Sequence, residues 1–376
     1  MVILQATFFL AVFIAILFGS HYFLYFSLVK FFPFFGNYRS GLIITLSILA
    51  LSFFLTSLLA RMREDIFTRT GYFLSGFWLG LLTNLLLAII PILFLHWSLL
   101  LINANINLQI TATIFFGLAI LVSIYGAWNA FQPRIKNITV TIPNLPSSWQ
   151  GKKIVQLSDV HLGLIYQKDF LKKIIAKTNS ISPDLVVITG DLFDGTDNTD
   201  LDTLTAPLDS LNAKQGTFFI NGNHETYLGL DKTFGVLKKT PVQILNDQVV
   251  DLSGLKLIGI SYSDRDLKKN VVTTLQKLKP QYFGSPNILL YHSPTNIKQL
   301  AKEGVNLQLS GHTHIGQIFP FNFITKLIYH GYDYGLHSIG DYTLYTSSGV
   351  GTWGPAMRTD SNSEIVVITL ENKSNQ

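Results

Sequence analysis

The sequence predicts an α/β domain preceded by a membrane region of about four helices, and two observations carry that prediction. From Met1 to Pro133 only seven side chains are charged (Lys30, Arg39, Arg61, Arg63, Glu64, Asp65 and Arg69), and none lies between Arg69 and Arg134. Beyond that point short, apolar, β-branched runs alternate with amphipathic stretches, which is the pattern of repeated βα units.

In the first region four apolar stretches, Val2–Val29, Leu42–Ala60, Tyr72–Trp97 and Ile110–Ala130, approach or exceed the roughly 20 residues that a bilayer crossing requires. The first has no charged leader, is too long for the core of a signal peptide and is followed by three more spans, so it reads as a retained helix. With four spans, the loop 61–71 and the segment after Ala130 share one side of the membrane. That side holds Arg61, Arg63, Arg69, Arg134, Lys136, Lys152 and Lys153, against Lys30 and Arg39 opposite. The positive-inside rule then puts both termini and the α/β domain in the cytosol, at the cytoplasmic (inner) membrane. His21 and His96 lie within spans and read as anchors rather than working groups, His96 having Trp97 beside it. No Asp, Glu, Lys or Arg sits mid-membrane, which argues against an ion-coupled transporter.

The range 133–151, with Pro133, Pro143, Pro146 and Gly151, reads as a linker, 152–371 as the α/β domain and 372–376 as a polar tail. Strands are expected at Lys153–Leu157, Leu185–Thr189, Thr217–Ile220, Leu255–Ile260, Asn287–Tyr291, Leu307–Leu309, Thr343–Thr346 and Ile365–Leu370. Leu185–Thr189 is apolar throughout, as a strand covered on both faces must be. Helices are expected at Asp169–Asn179, Thr203–Asn212, Tyr227–Lys239, Leu267–Lys277 and Asn296–Glu303, with Asp264-Arg265-Asp266 as a capped loop ahead of the fourth. There is no cysteine, which removes disulfides, thiolate ligands and a thiol nucleophile. The domain's charges nearly balance, so nothing resembles the basic face that grips a nucleic-acid backbone, and no nucleic-acid partner is expected.

Five segments carry chemistry: Ser158-Asp159-Val160-His161, Gly190-Asp191-Leu192-Phe193-Asp194, Gly222-Asn223-His224-Glu225, Tyr291-His292-Ser293 and Gly311-His312-Thr313-His314. Each follows an apolar strand, and the ends of strands are where an open α/β sheet gathers its ligands. Two Asp, one Asn and four His suit a pair of Mn²⁺, Fe or Zn²⁺ ions better than Ca²⁺ or Mg²⁺, which prefer all-oxygen shells. Paired cations imply hydrolysis of a phosphate ester.

These segments resemble the signature of the calcineurin-like metallophosphoesterases, D-x-H, G-D-x-x-D, G-N-H-[DE], H and G-H-x-H, over roughly residues 150–370. The resemblance implies a four-layer αββα sandwich: two mixed sheets face to face, with helices on both outer faces. It implies one ion held by Asp159, His161, Asp191 and His314, and a second by Asp191, Asn223, His292 and His312. It makes His224 a catalytic histidine that faces the substrate without binding metal, and Asp194 the carboxylate that orients it. Gly316, Gln317 and Pro320 after the G-H-x-H box, with Ser348-Gly349-Val350-Gly351-Thr352, Pro355 and Arg358, are similar to a membrane-associated bacterial branch, some of whose members cleave UDP-2,3-diacylglucosamine. Ile315 stands where many relatives have glycine, and several spans replace the more usual single anchor.

The stretch Ile318–Tyr334 contains ten aromatic or branched apolar residues directly after the His-Thr-His ligands. Three uses are open to it: docking on the bilayer, lining a groove for acyl chains, or packing on the core. His330 and His337 are candidate substrate contacts there, and Arg358 is a candidate to grip a phosphate bidentately. The resulting expectation is a membrane-anchored dinuclear phosphoesterase with a lipid-linked substrate. The alternatives are a phosphodiesterase for a soluble nucleotide-like substrate, and a membrane scaffold without catalysis.

Overall fold

The computed structural model describes residues 2–262 and 269–373. The loop Asp264-Arg265-Asp266, the start of the helix expected from Leu267 and the end of the polar tail fall outside the described residues. The chain divides into two compact units, 1–128 with 354–357 and 129–353 with 358–376.

The first unit is built from four helices, α1 (Val2–Phe31), α2 (Arg39–Met62), α3 (Ile66–Leu101) and α4 (Leu108–Ala130). All four are long and apolar enough to cross a membrane. Their shared core is small for the helix length, with Leu24, Leu46, Leu85, Ile89 and Phe116 inside it, while many large apolar side chains point outward. That distribution suits helices whose outer faces meet lipid rather than water. The start of α3 is fixed by a capping box. The Asp65 carboxylate accepts from the backbone N–H of Phe67 and Thr68, each at 3.0 Å, and the Thr68 hydroxyl accepts from the Asp65 N–H at 3.0 Å. His21 is buried, not interfacial. Trp78 donates to its Nε2 at 3.0 Å and its Nδ1 lies 2.7 Å from the Leu17 carbonyl, so both ring nitrogens are satisfied within the unit.

The second unit begins earlier than the composition suggests. Residues 134–142, expected as linker, form β1 (Arg134–Ile142), paired in parallel with the last strand. Pro133 and Pro143 flank the strand instead of interrupting it, which a missing N–H permits at strand ends. In chain order there follow β2 (Lys153–Leu157), β3 (Leu162–Gly163), α5 (Lys168–Ser180), β4 (Leu185–Thr189), β5 (Phe193–Asp194), α6 (Leu201–Thr205), β6 (Thr217–Ile220), α7 (Asn223–Leu228), α8 (Leu230–Leu237), β7 (Val242–Ile244), β8 (Gln248–Leu252) and β9 (Leu255–Gly259). The rest are α9 (Val271–Leu278), β10 (Asn287–Leu290), α10 (Ile297–Leu300), β11 (Leu307–Ser310), α11 (Phe321–Ile328), β12 (Gly335–Ile339), β13 (Tyr342–Thr346) and β14 (Glu364–Asn372).

Two mixed six-stranded sheets result, ordered β1-β14-β2-β4-β6-β7 and β12-β13-β11-β10-β9-β8. Side-chain alternation sorts the core. Ile154, Val187, Phe218 and Ile220 of the first sheet meet Leu257, Ile288, Leu290 and Leu309 of the second between the sheets. Their strand neighbours Val155, Val186, Ile188 and Phe219 point the other way, onto Phe170 and Ile174 of α5 and Leu237 of α8. On the far side Ile258, Leu289 and Leu344 pack on Val271 and Leu275 of α9 and Leu300 of α10. This is the four-layer αββα sandwich. The expected helix 203–212 stops at Thr205 and continues as a 3-10 turn containing Pro207. The expected helix 227–239 starts at Asn223 and is broken by Gly229, whose φ of 99° a non-glycine residue rarely adopts.

Candidate metal centre

The five segments converge where the central strands of both sheets end. The loops after β2, β4 and β6 bring Asp159 with His161, Asp191, and Asn223 with His224. Those after β10 and β11 bring His292, and His312 with His314. Asp159, His161, Asp191, His312 and His314 all have positive φ, between 51° and 76°. For non-glycine residues that backbone is costly, and all five positions lie within four residues of a strand's end.

Two ligand sets are evident. In the first, His161 Nε2 lies 3.1 Å from His314 Nε2, and His314 Nε2 lies 3.4 Å from Asp159 Oδ1. In the second, His292 Nε2 lies 3.2 Å from His312 Nδ1 and 3.1 Å from Asp191 Oδ2. The same Asp191 Oδ2 is 4.0 Å from His161 Nε2, so one oxygen of one carboxylate faces both sets. Asn223 Oδ1 is buried and has no hydrogen-bond partner, an acceptor that otherwise pays the full desolvation penalty. Nitrogen–nitrogen separations of 3.1 and 3.2 Å match the ligand spacing around a cation with bonds of about 2.1 Å. The donor set therefore fits two divalent ions.

The protonation states of three of the four histidines fit as well. Burial lowers His161 to about 4 and His312 to about 3, and drives His314 well below its usual range, leaving neutral imidazoles. His292 is different: burial opposes its charge, but the Asp191 carboxylate overrides this and pushes it to about 10. Its Nδ1 lies 2.8 Å from the Thr189 carbonyl and donates to it, which aims Nε2 at Asp191. Asp191 is itself held well below the carboxylate range despite burial, chiefly by the charge of His292. Within the two sets, the buried carboxylates of Asp159 and Asp191 face a single charged ring, that of His292, which calls for more positive charge.

Around these groups sits a supporting shell. The Asp159 carboxylate accepts from Ser158 Oγ at 2.5 Å and from the His312 N–H at 3.0 Å, tying the first loop to the last. Glu225 does the same for the middle loops. It accepts from the backbone N–H of Asp191 and Phe193, each at 3.0 Å, and of Gly222 at 2.7 Å. Sequence reading gave Glu225 no role, although it closes the G-N-H-[DE] box. Its position three residues after Gly222, in the first turn of a helix, was the available signal. His224 belongs to neither of these two sets although its ring centroid lies 4.7 Å from that of His161, and its Nδ1 is 2.9 Å from Asp194 Oδ1. Burial lowers its pKa, but the hydrogen bond to Asp194 prevails and raises it to about 9, so the ring is charged at neutral pH.

The substrate candidates fare differently. Arg358 is completely buried. Its guanidinium donates to the carbonyls of Ser348 at 2.5 Å, Gly351 at 2.6 Å and His314 at 3.3 Å, and to Ser361 Oγ at 2.8 Å. It staples the last ligand loop to the chain that follows and has no face left to clamp a substrate phosphate. His337 lies on the outer strand β12 with Nε2 2.8 Å from the Tyr334 carbonyl, outside the ligand cluster. His330 is exposed just beyond α11 and also lies outside the cluster.

The glycines of the boxes are required by contact. A Cβ on Gly222 would fall 2.1 Å from Asp191 Oδ1, and one on Gly311 2.1 Å from Asp159 Oδ2. Gly222→Ala is expected to displace Asp191 and weaken metal affinity about 10–100-fold, the range seen when the groups that orient a ligand are disturbed. Chelator competition measures this, and unchanged affinity would mean that the loop yields without moving the carboxylate.

Comparison with known proteins agrees with this arrangement. The family described as calcineurin-like phosphoesterase matches residues 152–316. An uncharacterized metallophosphoesterase of Campylobacter jejuni is 41% identical over 247 residues, covering 64% of this chain and 64% of that protein. A Bos taurus transmembrane protein with metallophosphoesterase domain is 33% identical, over 66% of this chain and 60% of its own length. An uncharacterized metallophosphoesterase of Aquifex aeolicus is 34% identical and is covered over 99% of its length. The chain spans just under two thirds of the length of the Campylobacter relative. Ligand boxes, sheet order and these relatives agree, and the chain belongs to the calcineurin-like metallophosphoesterases.

Proposed function

We propose that this chain is a multi-pass protein of the cytoplasmic membrane whose cytosolic domain hydrolyses a phosphate ester or pyrophosphate bond, the substrate being lipid-linked. The observation that carries the reading is Asp191 Oδ2, a single buried oxygen facing both ligand sets. Asp159, His161, Asp191 and His314 would hold one ion, and Asp191, Asn223, His292 and His312 the other, with Mn²⁺, Fe or Zn²⁺ suited to the mixed donors. When bound, such a pair supplies Lewis acidity: it polarises the phosphate and makes water a nucleophile near neutral pH.

The chain's own residues supply the rest. Thr189 fixes the tautomer of His292, and Glu225 holds the loops of Asp191 and Asn223 in register. His224, charged through Asp194, carries a proton at Nε2 that it can give to the departing alkoxide or share with a phosphate oxygen. Tyr227 and Trp353, both exposed, place their ring centroids 5.6 and 6.2 Å from that of His224. An aromatic rim of this kind favours a substrate with an apolar body beside its phosphate. The four spans keep the domain where such a substrate resides.

The test is hydrolysis of bis-p-nitrophenyl phosphate and of a vesicle-borne phosphate ester by the full-length protein in detergent. It is stripped with chelator and then given Mn²⁺, Zn²⁺ or Mg²⁺. Turnover is expected to vanish on stripping and to return with metal. A protein that binds both ions and cleaves neither ester would overturn the reading.

A further inference from the structure

Helix α11 presents an apolar surface to the outside. Leu327 is 77% exposed, Phe323 62%, Ile328 59%, Ile324 51% and Phe321 42%. Among its eight residues the two half-buried ones are Asn322 and Thr325, both polar. Thr325 Oγ1 bonds the Asp333 carboxylate at 3.1 Å, and Thr313, inside the His-Thr-His box, donates to the Asp333 carbonyl at 2.6 Å. A surface helix of a protein in water turns its apolar stripe inward and its polar side out. Here the polarity is inverted, and no residue of α11 is buried. Of the three uses open to Ile318–Tyr334, core packing therefore holds for Ile318 and Tyr332 but not for the helix between them.

We propose that α11 lies in the lipid–water interface of the bilayer the chain is anchored to, with Phe323, Ile324, Leu327 and Ile328 among the acyl chains, so that the metal centre opens at the membrane surface. Three further features favour lipid over a protein partner. Only three residues part the last turn of α4 from β1 in sequence, so the domain is tethered at the surface of any bilayer that α4 crosses. The one charged residue of α11, Lys326, is exposed among the apolar side chains, where its long stem can reach back to the headgroups. Inside the domain, the docking helix is tied to the ligand loop. Besides the Asp333 link, the Tyr329 ring at its C-terminal end is 6.0 Å from that of His312. A lipid whose acyl chains stay beside α11 would then present its phosphate to the ions without leaving the membrane. This rests on the membrane-anchored phosphoesterase reading and adds the face that meets lipid.

The natural absence of cysteine makes the test direct. Leu327→Cys and, as control on α9, Lys277→Cys are labelled with an environment-sensitive fluorophore in the full-length protein reconstituted into vesicles. The Leu327 label is expected to lose emission to a nitroxide carried on the acyl chains and to be protected from aqueous iodide, with the reverse at Lys277. A Leu327 label quenched by iodide would overturn the proposal. One shielded from both quenchers would point to a second protein on this face and overturn it equally. In a second measurement, Phe323→Glu with Leu327→Glu should lower the ratio of turnover on a vesicle-borne alkyl p-nitrophenyl phosphate to that on water-soluble bis-p-nitrophenyl phosphate by about tenfold, because two apolar anchors to the bilayer are lost. An unchanged ratio counts against docking. A label that reads lipid in a protein that cleaves neither ester leaves the docking intact and removes the hydrolase reading. Turnover with a water-exposed label does the opposite.

Discussion

Asp191→Ala is expected to abolish turnover and to empty both ion positions together. The change removes the oxygen that faces both ligand sets, and with it much of the negative charge that would balance two dications in a buried site. Metal clamps supply several kcal/mol of transition-state stabilisation, so the loss should reach about 10³-fold or more in kcat/KM. Elemental analysis of the purified variant should show both ions reduced, not one, which separates a shared ligand from an ordinary one. A variant that keeps one full equivalent of metal would assign Asp191 to a single ion. One that keeps its activity would dismantle the centre as described.

His224→Ala should behave in the opposite way on metal and similarly on rate. The proposed assignment gives this ring to neither ion, so both ions should remain. What disappears is a positioned proton, worth about 10²–10⁴-fold in rate where the leaving group needs one. The deficit should be largest on alkyl esters, whose alkoxide leaves poorly, and smallest on p-nitrophenyl esters, whose phenolate leaves unaided. Equal losses on the two would argue that His224 binds a phosphate oxygen and does not protonate the leaving group. No loss on the alkyl ester would dismiss it from the chemistry.

The candidate ligands were legible because chemistry and topology coincide. Each Asp, Asn or His sits where an apolar run such as Lys153–Leu157 or Leu185–Thr189 ends, and both of those strands have the predicted bounds. What was not legible has physical reasons. β1 alternates Asn137, Thr139 and Thr141 with Ile138, Val140 and Ile142 as an edge strand does, and its flanking prolines imitated a linker. Its partner, β14, is more than 200 residues away, a pairing no local pattern announces. The helix near residue 205 was overrun because Pro207 converts its continuation to a 3-10 turn. Arg358 looked like an anion clamp because a guanidinium can be one. Only the folded chain reveals three carbonyls and a serine around it. Glu225 went unassigned for a related reason, since its partners are backbone N–H groups that leave no trace in residue identity.

The left-handed backbone at Asp159, His161, Asp191, His312 and His314 sets stability against activity in this protein. Each such residue forgoes about 1–2 kcal/mol relative to a relaxed conformation, and glycine would recover part of that at every one of the five positions. A search for more heat-resistant variants would accordingly find attractive substitutions at the very residues that gather the ligands. Each gain in robustness there would be taken from the protein's capacity to act.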